Sequence, residues 1–268
     1  MSDPAPSKTD SLQLEAFCLY RALMRDTASA SASDQGAEPN LGGRLLYVGE
    51  LDAHSRAMVI AGNVAGCATL AAAEDPIAQK VAMRDGVVDF VVTSLDEALR
   101  ILKNEIRKRH AVAVSVTAEP DEVEHEMLER GVLPDLLFAG LSDEPRRVCH
   151  FGPGETDVHP DKPDASVAWI NWQVEHAPAQ WMQRLDSIAI ACLLEDGPAS
   201  RWIRLGPRYF GRTAQARRAL YCDALAASEI VRRFREAVGS GAIGTKVSVG
   251  LCIRDAVENL EFVPPVGP

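Results

Sequence analysis

A carboxylate, an imidazole and a guanidinium alternate along "GELDAHSRAM" at Asp52, His54 and Arg56, just beyond a short apolar run that ends at Gly49. An apolar strand, a tight turn and a helix, in that order, outline a dinucleotide-binding turn, where glycines let the backbone approach a pyrophosphate. Here Glu50, Asp52, His54 and Arg56 stand where such glycines belong. Two chemistries are open to them. They can hold a small ligand at the strand C-termini, where open α/β sheets bind. They can also cap the following helix, the commoner fate of a short polar cluster and the preferred reading.

Glu74 follows a second apolar run and could accept bonds from a ribose, although one acid is a weak signal. Glu119 follows a later run. A parallel sheet would bring Asp52, His54, Arg56, Glu74 and Glu119 to one edge from three loops. Acids outnumber bases in that set, so it favours a cationic or neutral polar ligand over a phosphate.

Other groups carry less. Cys149, His150 and His159, with Asp157 and Asp161 nearby, have a spacing that fits no standard zinc site, and a solvated loop is the preferred reading. Cys149 and His150 also make a poor nucleophile pair, because sequence neighbours seldom align as thiolate and base. No catalytic, cofactor-binding or metal-ligating residue is assigned. Trp169, Trp172 and Trp181, with Met182, are read as core, or as a partner surface if exposed. The arginine-rich "RWIRLGPRYFGRTAQARR" is read as pairing with the protein's own carboxylates.

The net charge of −10 over 268 residues argues against nucleic acid or an anionic membrane as the main partner. The six cysteines are scattered and form no C-x-x-C pair, so neither a disulfide framework nor a zinc ribbon is signalled. No apolar run is long enough to span a bilayer, and "MSDPAPSKTDS" lacks the apolar core of a signal peptide. A cytoplasmic location is the expectation.

The elements that must position these residues alternate. Residues 1–40 read as a tail, a helix over "LQLEAFCLYRALMRD" and a linker. From Arg44, strands over "RLLYVG", "TLAAA", "VVDFVV", "AVAVSVT" and "DLLFAG" are separated by helical segments. Ser55 is expected to cap the first of these helices, which runs to about Cys67. Ser94 followed by Glu97 is a capping box opening "LDEALRILKNEIRKR". Pro120 starts the helix "DEVEHEMLER" and Gly131 ends it. Residues 140–168 are rich in Pro, Gly and Asp and read as a long loop. A strand over "VAWINWQV", a helix over "APAQWMQRLDSIAIACLLE" and a strand over "TKVSVGLCI" follow. For "TAQARRALYCDALAASEIVRRFREAV", a strand running into a helix and one long helix both stay open.

The stretch "TSLDEALRILKNEIRKRHAVAVSVTAEPDEVEHEMLERGVLPDLL" (93–137) resembles the central segment of urocanase, the urocanate hydratase of histidine breakdown. An L-D-x-A-L helix start leads to an apolar strand, an acidic helix and R-G-V-x-P-D. Residues 43–92 align with the family's NAD-domain start. Weaker similarities at "LEAF", "SRWIRLGPRYFGRTAQARRALY" and "FREAVGSGAIGTKVSVG" extend the resemblance over most of the chain. Urocanases bind NAD tightly and use its nicotinamide as an electrophile. The resemblance covers their NAD-binding middle domain, without the flanking core domain or the R-G-x-G-P-F-R-W region. It also implies that the cofactor contacts are replaced. The family's glycine-rich turn corresponds to Glu50, Asp52, Ala53, Ser55 and Arg56, its Gly-Asn pair to Ala118 and Glu119, its D-Q-T-S to "AGLS" (139–142), and its G-L-G to "CDA" (222–224).

The expected architecture is α/β, with a Rossmann-like, open, mostly parallel sheet and helices on both faces. Residues 41–262 are expected to form one such domain, with a remodelled segment at 140–200. The expected function is a urocanase-like binding or regulatory module with no cofactor. Its partner would be another protein or a small polar metabolite, and a homodimer is left open. An enzyme with a different ligand in the same cleft is the alternative. An active NAD-dependent hydratase is the third reading.

Overall fold

The structure, a computed structural model, describes residues 8–28, 40–137, 149–150, 167–193, 197–211, 215–254 and 256–265. The chain divides into two compact units, one of residues 18–158 and one of residues 1–17 with 159–268. Helix α1 (Lys8–Ala28) contains the boundary between Phe17 and Cys18. No helix among the described residues is long and apolar enough to cross a membrane.

In the unit of residues 18–158, strands and helices alternate. The order is β1 (Leu45–Glu50), α2 (Ala53–Ala65), β2 (Ala68–Ala72), α3 (Pro76–Arg84), β3 (Phe90–Val92), α4 (Leu95–Lys108), β4 (Val112–Val116), α5 (Pro120–Glu129), β5 (Leu136–Leu137) and β6 (Cys149–His150). All six strands are parallel, in the order β3-β4-β2-β1-β5-β6. Residues of β2 and β4 are buried throughout, as expected when helices cover both faces of a parallel sheet. One face packs Tyr47, Leu70, Val114 and Val116 against Leu95, Leu99 and Leu102 of α4 and Val123 and Met127 of α5. The opposite face lies under α2. There Gly62 permits close approach, since a Cβ would sit 2.6 Å from Leu46 Cδ2 and 3.0 Å from Thr69 Oγ1.

Local signals account for the boundaries. The Ser94 side chain accepts from Glu97 N–H at the start of α4, and Gly131 takes φ +64° just beyond α5. Asp75 accepts from Ile77 N–H and Pro76 opens α3, a helix the sequence reading did not anticipate. β1 lies between β2 on one side and β5 on the other. This is the topological switch point of an open α/β sheet, the place where such sheets bind ligands, beyond the C-terminal ends of their strands.

The second unit is antiparallel. It contains β7 (Val167–Val174), α6 (Pro178–Ile190), α7 (Pro198–Leu205), a 3₁₀ turn (Gly206–Tyr209), β8 (Arg217–Asp223), α8 (Ala224–Gly239), β9 (Val247–Ile253) and β10 (Ala256–Phe262). The sheet order is β10-β9-β7-β8. Along β7, Ala168, Ile170, Trp172 and Val174 are buried and alternate with less buried residues. Trp172 meets the Phe234 ring of α8 edge-on at 5.5 Å. The outer edge of β8 is satisfied by side chains: Ala219 N–H donates to Gln13 Oε1 of α1 at 2.8 Å, and Trp202 Nε1–H donates to Ala219 O at 3.3 Å.

The single domain anticipated over 41–262 is therefore distributed over two sheets. The alternation that reads as one βα series changes its pairing direction after β6, and period alone does not report direction. The open alternative over 213–238 resolves as strand β8 running into helix α8. Helix α7 and strand β10 were not anticipated.

Candidate functional site

The switch-point edge is assembled by register. Glu50 is level with Ala72, and Ala72 with Val116, so β1, β2 and β4 end side by side. The loops that leave them carry Asp52, Glu74 and Glu119. The far side of the switch point follows β5, and "AGLS" (139–142) lies outside the described residues.

The β1–α2 turn is closed on itself. Ser55 N–H donates to Asp52 Oδ1 at 2.7 Å, and Asp52 N–H donates to Ser55 Oγ at 2.8 Å. This is a reciprocal cap. Asp52 stands in the cap position, because α2 begins at Ala53, and Ser55 completes the cap from the first turn. Arg56 turns away to Asp85 at the C-terminus of α3, with Nη2 2.7 Å from Oδ2 and side chains 19% and 25% exposed. His54 is the second residue of α2, and its side chain lies outside the described part.

Glu119 occupies the cap position of α5 with extended backbone, yet its side chain makes no cap bond. Its carboxyl is instead within hydrogen-bonding reach of Glu74. That bond and the Glu74 charge hold Glu119 above the usual carboxylate range, with smaller contributions from partial desolvation, Glu122 and Glu50. Of the five candidate residues, the structure thus brings together Glu74 and Glu119 and adds Glu50 beside them, while Asp52 and Arg56 are engaged locally. The position of Glu50 as the last residue of the first strand was the signal for its place here. Asp85 as the partner of Arg56 had none, being 29 residues away in sequence.

Beneath these loops, Tyr47 is fully buried on β1 and donates its hydroxyl to Pro120 O at 3.4 Å. Burial pushes its phenol well up from the ordinary value, and the Glu124 charge adds to this. Behind the turn, burial holds the Cys67 thiol up at about 12, so it is an inert core group. Among the described residues, no cluster of three or more His, Cys, Asp or Glu can hold a metal ion. Cys149 and His150 form β6, and the rest of the His159 group lies outside the described residues. In the arginine-rich stretch, Arg218 pairs with Asp186 at 2.8 Å, Arg217 donates to Gln173, and Arg208 stacks on Tyr209.

The unit of residues 18–158 is thus a six-stranded parallel sheet with a switch point at β1/β5 and carboxylates on the loops at its edge. Residues 26–143 match the urocanase Rossmann-like domain. The chain is also similar to S-methyl thiourocanate hydratase of Variovorax sp. (strain JCM 16519 / RA8), with 26% identity over 117 residues. That alignment covers 44% of this chain and 21% of the relative, so the chain spans about a fifth of that protein's length. The urocanase match ends before β6 and takes in none of β7–β10. The stretches at 200–211, 215–221 and 234–250 lie outside the match and belong to the antiparallel unit. The urocanase-like unit alone carries the switch point and its carboxylates.

Proposed function

We propose that the urocanase-like unit is a binding module for a small cationic or neutral polar metabolite, with no urocanate hydratase activity of its own. The observation that carries this reading is the gathering of Glu50, Glu74 and Glu119 at the ends of three adjacent strands. At that edge a dinucleotide-binding sheet presents glycine and backbone N–H groups instead. Carboxylates there attract cations and repel phosphates. A melting-temperature panel of polyamines, amino-acid amides, sugars and nucleotides tests the reading. Stabilisation by cationic or neutral compounds is expected. No shift with any of them, or consumption of urocanate in an absorbance assay with excess NAD, would overturn it.

A second reading rests on Glu119. A carboxyl raised above its ordinary range by a neighbouring carboxylate is a feature that general acids share, which would make the edge an active site for a different substrate. Turnover of a ligand found in the panel, abolished by Glu119→Gln with binding retained, distinguishes an enzyme from a binding module.

A further inference from the structure

We infer that this chain excludes NAD through its own residues: the Asp52 carboxylate takes the anion seat at the N-terminus of α2, and Glu50, Glu74 and Glu119 form a charge barrier in front of it. The inference deepens the binding-module reading by stating what the edge rejects, and it rests on that reading only for the location of the site. In a dinucleotide-binding sheet the pyrophosphate accepts hydrogen bonds from the N–H groups that open the first helix, and the helix dipole favours the negative charge. Here Ser55 N–H is already bonded to Asp52 Oδ1 at 2.7 Å, and Asp52 N–H to Ser55 Oγ at 2.8 Å. Arg56 N–H is bonded to Asp52 O at 3.1 Å.

The seat is therefore filled covalently by an anion of the chain, at no cost in translational freedom, and a pyrophosphate would have to displace it. Arg56, in the first turn of α2, does not help. The Arg56 guanidinium is committed to Asp85 at 2.7 Å, toward α3. A pyrophosphate that did enter would bring further negative charge to an edge where register already sets the ends of β1, β2 and β4 side by side and where the Glu74 charge raises Glu119 above the usual carboxylate range. These residues do not fit NAD.

Isothermal titration with NAD and with ADP-ribose tests the inference on the full chain. The wild type should show no binding of either. The charge-only variant Glu50→Gln/Glu74→Gln/Glu119→Gln leaves the α2 cap intact. Asp52→Ser added to it keeps a capping oxygen while removing the fourth charge. Each step should raise affinity for ADP-ribose by about tenfold or more, so that binding becomes measurable in the combined variant. Stoichiometric NAD on the purified wild type by native mass spectrometry would overturn the inference. So would a combined variant with wild-type circular dichroism that still binds no ADP-ribose. Failure of the metabolite panel would remove the binding-module reading and leave both of these results standing.

Discussion

Glu119 is where a single residue's chemistry is most exposed to measurement. Its folded-state carboxyl titrates above the usual value because Glu74 shares its proton and adds charge. A group raised in this way contributes stability that is complete below the unfolded value, about 4.3 for glutamate, and is lost as pH rises through the folded value. Glu119→Gln should therefore raise the melting temperature at neutral pH, and the difference from wild type should vanish in acid. A difference independent of pH would mean that the two carboxyls do not share a proton. Asp52 acts as a helix cap, its carboxylate accepting from Ser55 N–H. Asp52→Ala should cost about 1 kcal/mol, the usual value of a lost cap, in a denaturant titration.

At the scale of elements, α2 is held by shape more than by charge. Leu46 is fully buried and cannot swing away from a Cβ placed 2.6 Å from its Cδ2, so Gly62→Ala should destabilise the urocanase-like unit by about 1–3 kcal/mol through overpacking. Gly131, with φ +64° and open space around its Cβ position, isolates backbone strain from packing. Gly131→Ala should cost only about 1 kcal/mol. A larger loss at Gly131 than at Gly62 would invert this account. On the antiparallel side, Gln13 reaches the edge of β8 as a side-chain substitute for another strand. Gln13→Ala should expose Ala219 N–H, read as faster hydrogen exchange at that amide.

At the scale of the whole molecule, the chain is two cores rather than one, and each should answer to its own mutations. Trp172 is fully buried in the antiparallel unit against Phe234. Trp172→Ala should cost that unit about 3–5 kcal/mol. Hydrogen exchange on the full chain should then show lost protection along β7–β10, with β1, β2 and β4 still protected. Uniform loss across both sheets would show a single cooperative core.

The sequence alone determined the βα rhythm of the first unit and the start of α4, because periodicity and capping are local: Ser94 and Glu97 lie within one turn, and the apolar runs of β2 and β4 have only one way to be buried. It also placed Glu50, Asp52 and Arg56 in the first turn. Helix capping by Asp52 was legible there as well, but not which carboxylate Arg56 would pair with, or that Glu74 would meet Glu119. Nor did it show that the strand over 167–174 would pair antiparallel in a sheet of its own. Those outcomes depend on which strands become neighbours and in which direction. Strand pairing brings together residues tens of positions apart, and the hydrophobic period, which repeats every two residues whichever way a strand runs, carries no record of its partner.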